Sequence, residues 1–133
     1  MSVEENKEVV RRLFTAQVKG DLDTLANLLA DDLAWQYMGN GTQDVTINKD
    51  QAVAMHRRMR EGWIEAWVKN IVGMIAEGDG VAVEATNRMK MKDGRIYEQR
   101  YHYVYIIKNG KISAVREYLD TDHAKRFFEN RFP

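Results

Sequence analysis

Apolar residues recur at helical spacing near the start of the chain: Val10, Leu13, Phe14 and Val18 fall on one side of a helix. Ser2 followed by Glu5 supplies a capping box for its first turn, and Gly20 suits its C-terminal end. Asp21 can cap a second, short helix that buries Leu22, Leu25, Leu28 and Leu29, with Asp31-Asp32 closing it. Leu33 to Met38 reads as a short strand, and Gly39-Asn40-Gly41 starts a polar loop. Asn48 with Gln51 forms another capping box, predicting a third helix to about Arg60 with Ala52, His56 and Met59 on one face.

From Trp63 the period changes to that of strands. Trp63 to Ala76 is long, β-rich and interrupted by Gly73. Gly78-Asp79-Gly80, Asp93-Gly94 and Asn109-Gly110 are hairpin signals separated by strands of roughly a dozen residues, about twice the usual length. Asp120, Thr121 and Asp122 can cap a last helix carrying Phe127 and Phe128. The expected class is α+β: a cone-shaped barrel made of a strongly curved antiparallel sheet, with helices closing its open side around a conical cavity.

Turn chemistry predicts which side chains share a face. A two-residue Asp93-Gly94 turn places Glu84 opposite Tyr103, Thr86 opposite Tyr101 and Arg88 opposite Gln99. A three-residue turn at Lys108-Asn109-Gly110 places Tyr103 opposite Val115 and Tyr101 opposite Glu117. Directly opposed residues share a face, so Glu84, Thr86, Arg88, Gln99, Tyr101, Tyr103, Val115 and Glu117 are expected together. Val81, Val83, Ala85, Met89, His102, Val104, Ile106, Ile112, Ala114, Arg116 and Tyr118 are expected on the other face. Both faces are too apolar to meet water, so one should line the cavity and the other a homodimer contact.

With 133 residues, the whole chain, 1–133, is expected to form one domain. Cysteine is absent, which excludes disulfides and thiolate metal sites and fits a reducing, cytoplasmic setting. Lys plus Arg and Asp plus Glu are 20 each, so the long-range field of a nucleic-acid binder is missing. The first residues carry neither the basic nor the apolar region of a signal peptide, and no apolar run approaches membrane-spanning length. The glycines match no phosphate or dinucleotide loop, and the three histidines show no metal spacing, so neither cofactor nor metal is expected.

Val9-Val10-Arg11-Arg12, Gly20-Asp21-Leu22-Asp23 and Leu28-Leu29-Ala30-Asp31-Asp32 resemble the opening of the SnoaL-like and ketosteroid isomerase-like proteins. These belong to the nuclear-transport-factor-2-like superfamily. Gly94-Arg95, Asn109-Gly110-Lys111-Ile112 and Arg116-Glu117-Tyr118-Leu119-Asp120-Thr121 resemble its ending. The likeness spans nearly the whole chain and is specific for fold rather than chemistry. It implies that Glu117 faces the cavity and that homodimers are common. The positions that resemble the catalytic tyrosine, base and protonated aspartate of ketosteroid isomerase are Leu13, Tyr37 and Tyr103, so none of those identities is kept. The positions that resemble the arginine and two aspartates of limonene-epoxide hydrolase are Glu84, Thr86 and Glu117, and only the last keeps a carboxylate. Around Tyr97-Glu98 and Arg116-Glu117-Tyr118 the chain is also similar to phenazine-biosynthesis proteins, whose acid–base glutamate falls on Glu117.

The candidate catalytic residues are therefore Glu117, as a carboxyl in a partly apolar cavity, and His56, as its acid–base partner. Tyr37, Tyr101, Tyr103, Trp35, Arg88, Glu84 and Thr86 are the candidate substrate-binding residues, with Trp63 and Trp67 as further aromatic lining. The competing roles are structural: Glu117 neutralised by Arg88 or bonded to Tyr101, His56 as a core residue, and Arg88 paired with Glu84. The expected activity is cofactor-independent isomerisation, cyclisation or dehydration of a small hydrophobic or polycyclic metabolite. The alternative is a non-catalytic small-molecule-binding or dimerisation module.

Overall fold

The computed structural model describes residues 1–39 and 45–129; most of the loop expected after Gly39 lies outside them. Helix α1 (Val3–Lys19) starts at the predicted capping box, in which Ser2 and Glu5 satisfy each other's backbone N–H. It stops at Gly20, whose φ of 70° is left-handed. A Cβ there would also lie 2.7 Å from Arg60 Nε, so a larger residue would have to displace that side chain as well as hold a left-handed φ. Helix α2 (Leu22–Leu28) is capped by Asp21 and is shorter than expected. Strand β1 (Leu29–Tyr37) already begins at Leu29, so Asp31 and Asp32 lie in a strand rather than ending a helix. Strand β2 (Val45–Ile47) was not anticipated. Helix α3 (Lys49–Arg58) carries its capping box at Asn48 and Gln51 and runs into a π-helical turn, Met59–Trp63.

Strands β3 (Ile64–Glu77), β4 (Gly80–Met91), β5 (Ile96–Lys108) and β6 (Lys111–Leu119) form the long meander, and helix α4 (Thr121–Glu129) follows. The sheet order is β2-β1-β6-β5-β4-β3. The sheet is mixed rather than wholly antiparallel, because β1 runs parallel to β6. Irregularities at Ile64/Ala66, Ile71/Gly73 and Ile106/Ile107 add the local twist that lets strands this long curl.

The turns after β4 and β5 each differ by one residue from expectation, in opposite senses. Met91 donates to and pairs with Arg95, leaving Lys92-Asp93-Gly94 as a three-residue loop with Gly94 at φ 93°. Lys108 pairs with Lys111 around a two-residue Asn109-Gly110 turn, both residues having positive φ. The first change flips β4 against β5: Tyr103 faces Val83, Tyr101 faces Ala85, and Gln99 faces Asn87. The second, with the bulge at Ile106/Ile107, sets Tyr103 opposite Glu117. Val83, Ala85, Asn87 and Met89 therefore point inward and are buried.

Two apolar clusters fill the cone. The larger packs α1 and α2 on β1, β4, β5 and β6 through Val10, Leu13, Phe14, Leu25, Trp35, Val83, Tyr105 and Val115. The smaller gathers Ile64, Met89, Met91 and Tyr97 beneath Trp63, Phe127 and Phe128. Burying one side chain of this size contributes about 1.5–3 kcal/mol. The cavity lies where the two clusters meet.

Candidate active site

The cavity has a volume of about 290 Å³. Its walls are mainly aromatic and thioether side chains, including all six of Trp35, Tyr37, Trp63, Trp67, Tyr101 and Tyr103. Trp35 and Tyr37 stack with ring centroids 6.5 Å apart, and Tyr101 and Tyr103 stack at 5.3 Å. Alternation along β1 and β5 places these rings on the inner face, and α4 contributes Ala124 and Phe128.

Glu117 lines this cavity from β6 and is 8% exposed. Its Oε1 accepts a hydrogen bond from Trp35 Nε1 at 3.2 Å. Burial in apolar surroundings pushes the carboxyl up to about 7, against the opposing influence of the Lys69 charge and the Trp35 bond. Negative charge at Glu117 in turn adds to the burial that holds the Tyr101 and Tyr103 hydroxyls neutral.

Lys69 lines the cavity from β3. Its Nζ donates to Gln17 Oε1 at 2.7 Å and lies 4.0 Å from the Phe14 ring centroid and 4.7 Å from that of Tyr103. Burial lowers this ammonium to about 7, opposed by the Glu117 charge. The Gln17 contact fixes the neighbouring tautomer. An ammonium only donates, so the Gln17 amide oxygen must face Lys69 and its Nε2 must donate to His56 Nε2, 3.1 Å away. His56 then accepts at Nε2 and carries its proton on Nδ1, which donates to Ala52 O at 2.8 Å. Burial pushes His56 down to about 4, so it is neutral near pH 7.

His56 thus lies on the cavity wall, but its two ring nitrogens serve Ala52 and Gln17 rather than Glu117. It holds the amide that holds Lys69. Tyr37 donates to Met55 Sδ at 3.1 Å. Asn87, 3% exposed, accepts from Trp67 Nε1 through Oδ1, while its buried Nδ2 has no hydrogen-bond partner among the described residues. Asn87 belongs to the same wall.

Glu84, Thr86 and Arg88 are corrected. They pair with His102, Arg100 and Glu98 on the opposite face, so they do not line the cavity. The cause is the three-residue turn at Lys92-Asp93-Gly94, because one residue of register exchanges the faces of a strand. Arg88 pairs with Glu98 at 3.1 Å, not with Glu84 or Glu117. His102 is exposed on the outer face, and His123 bonds to Glu98 O near the start of α4.

The family model for the SnoaL-like domain matches residues 10–115. This chain belongs to the SnoaL-like family. Solved structures share the fold of this SnoaL-like protein at low sequence identity. An LEH-like epoxide hydrolase from M. tuberculosis is 22% identical with a TM-score of 0.77, over 93% of this chain and 89% of that one. PrhC from Penicillium brasilianum is 10% identical with a TM-score of 0.85, over 96% and 87%. A candidate SnoaL-like polyketide cyclase from Jannaschia sp. CCS1 is 18% identical with a TM-score of 0.76, over 97% and 94%. No curated protein matches the sequence.

Lys69, Gln17 and Asn87 were not among the residues singled out from the sequence of this SnoaL-like chain. Trp67, Lys69 and Ile71 alternate along β3, which was a legible sign that the lysine shares a face with two apolar residues. Gln17 lies one turn beyond Leu13 and Phe14 on the buried side of α1. Among the described residues no group of three or more histidines, aspartates or glutamates could hold a metal ion, and no helix is long and apolar enough to cross a membrane.

Proposed function

We propose that this SnoaL-like protein is a cofactor-independent enzyme that moves a proton on a small, largely apolar carbonyl compound, in an isomerisation, cyclisation or dehydration. The observation that carries the reading is the Glu117 carboxyl. It is buried on the wall of an aromatic cavity, anchored through one oxygen by Trp35 and raised toward neutrality. A carboxyl with that affinity can both take and return a proton near pH 7. Trp35, Tyr37, Tyr101 and Tyr103 would sandwich a flat ligand, and the Asn87 Nδ2 donor would meet one of its oxygens. A volume of about 290 Å³ favours one or two rings over an extended polycycle. His56 acts through Gln17 as a positioning residue.

Exchange in deuterated water tests this without the natural substrate. One- and two-ring ketones with protons next to the carbonyl are incubated with the protein, and deuterium incorporation is followed by NMR. Glu117→Gln should lower exchange by at least about 100-fold. Equal exchange by the variant would remove Glu117 from the chemistry, and wild-type exchange no faster than without protein would leave the non-catalytic binding reading in its place.

We further propose a homodimer through the outer sheet face. Val68, Val72, Ile75 and Tyr118 are 54%, 64%, 79% and 42% exposed there, more apolar surface than a solvated face carries. Light scattering on Val72→Lys/Ile75→Lys should show a monomer, and a monomeric wild type would remove the proposal.

A further inference from the structure

We propose that Lys69 is an imine-forming residue: its amine reversibly captures an aldehyde or ketone carbonyl carbon inside the cavity. Three observations point to this chemistry. Lys69 lines the cavity and projects from β3 among the faces of Phe14, Tyr103 and Trp67, where a carbonyl carried on a flat apolar ligand would lie. Among the described residues, no carboxylate oxygen lies within salt-bridge distance of its Nζ; the amide oxygen of Gln17 orients it instead. Gln17 is itself locked by His56, so the amine is held in place by a neutral chain from Ala52 O through His56 and Gln17. An ammonium in such surroundings loses its proton readily, and the neutral amine is the nucleophile.

The proton inventory closes with Glu117 alone. The Lys69 lone pair attacks the carbonyl carbon, forming the C–N bond, and the carbonyl oxygen takes the proton of the Glu117 carboxyl. The Glu117 carboxylate then removes a proton from nitrogen, giving the neutral carbinolamine. It returns that proton to the hydroxyl, which leaves as water while nitrogen's lone pair forms the C=N bond. The product is a protonated imine facing a Glu117 carboxylate. Hydrolysis runs the same steps backwards. The capture rests on the carbonyl-ligand reading above, but it is detected without turnover.

Trapping by reduction tests it. The intact protein is incubated at pH 7 with benzaldehyde or, separately, propanal, in the presence of sodium cyanoborohydride, and digested for peptide mapping. Lys69 is expected to label at least about tenfold faster than any other lysine, with a gain equal to the probe less one oxygen. Lys69→Arg keeps a cation but should lose this adduct while leaving slow labelling elsewhere, and Lys69→Met checks the site if the arginine does not fold. Glu117→Gln should slow labelling at Lys69 without moving it. If neither probe labels Lys69 ahead of the other lysines, the proposal is overturned. Labelling at Lys69 together with undiminished deuterium exchange in Glu117→Gln would keep the imine and remove only the acid–base reading.

Discussion

Tyr103 on β5 lies directly opposite Glu117 on β6, and the face of the same ring lies 4.7 Å from Lys69 Nζ. One buried side chain therefore stands beside both Glu117 and Lys69. Tyr103 also meets Phe14 edge-on at 5.8 Å, tying the site to α1. Tyr103→Leu should cost about 2–4 kcal/mol in urea unfolding, because it removes a core ring and the aromatic surface under the ammonium. Tyr103→Phe keeps both and should cost about 1 kcal/mol or less.

Trp35→Phe removes the N–H donated to Glu117 Oε1 but keeps a ring in the wall. That bond favours the charged carboxylate, so its loss should raise the Glu117 midpoint further. The lower edge of the pH range for deuterium exchange, set by the carboxylate that takes the proton, should move the same way. A midpoint that falls would show that the bond does not act on the carboxylate.

His56 should titrate as a spectator. With Nε2 accepting from Gln17 and Nδ1 donating to Ala52 O, its ring stays neutral with the proton on Nδ1. Two-dimensional NMR of the imidazole nitrogens should show that tautomer unchanged from pH 8 to pH 5.5, with protonation only near about 4. Because the folded value lies below the unfolded one, His56 adds stability that is present above the unfolded value, 6.5, and is lost as pH falls toward 4.

Glu117 and Lys69 contribute in opposite pH windows. The raised carboxyl gives stability that is fully present below 4.5 and is lost as pH rises through about 7. The lowered ammonium makes the folded protein gain stability as pH rises from about 7 toward 10.5. Lys69→Met removes the second effect and the charge that favours the Glu117 carboxylate. Relative to wild type, thermal unfolding of Lys69→Met should therefore lose its stability gain above pH 7, and the Glu117 midpoint should rise. An unchanged profile between pH 7 and pH 10 would mean that Lys69 is not buried as a cation.

Much of this fold was legible in the sequence. Capping residues at Ser2, Asp21 and Asn48 fix the helix starts because each side chain satisfies a specific N–H. That Tyr101, Tyr103 and Glu117 share a face followed from alternation and turn register, and the family resemblance implied that this face is the inner one. The failure at Glu84, Thr86 and Arg88 has one cause: Asp93-Gly94 joins Lys92 in a three-residue loop instead of forming a two-residue turn. Turn sequence alone does not choose between two and three residues. The Ala52–His56–Gln17–Lys69 chain joins α3, α1 and β3, and no local pattern connects residues that meet only after folding.

Proton transfer in the cavity depends most on the protonation of Glu117. Carbon-13 NMR of the labelled side-chain carboxyl, followed from pH 4 to pH 9 and assigned with Glu117→Gln, reads it directly. A midpoint of about 7 is expected, lowered toward the ordinary value only if water enters the cavity or Lys69 draws closer. A midpoint at the ordinary carboxylate value of 4.5 would contradict the proton-transfer role.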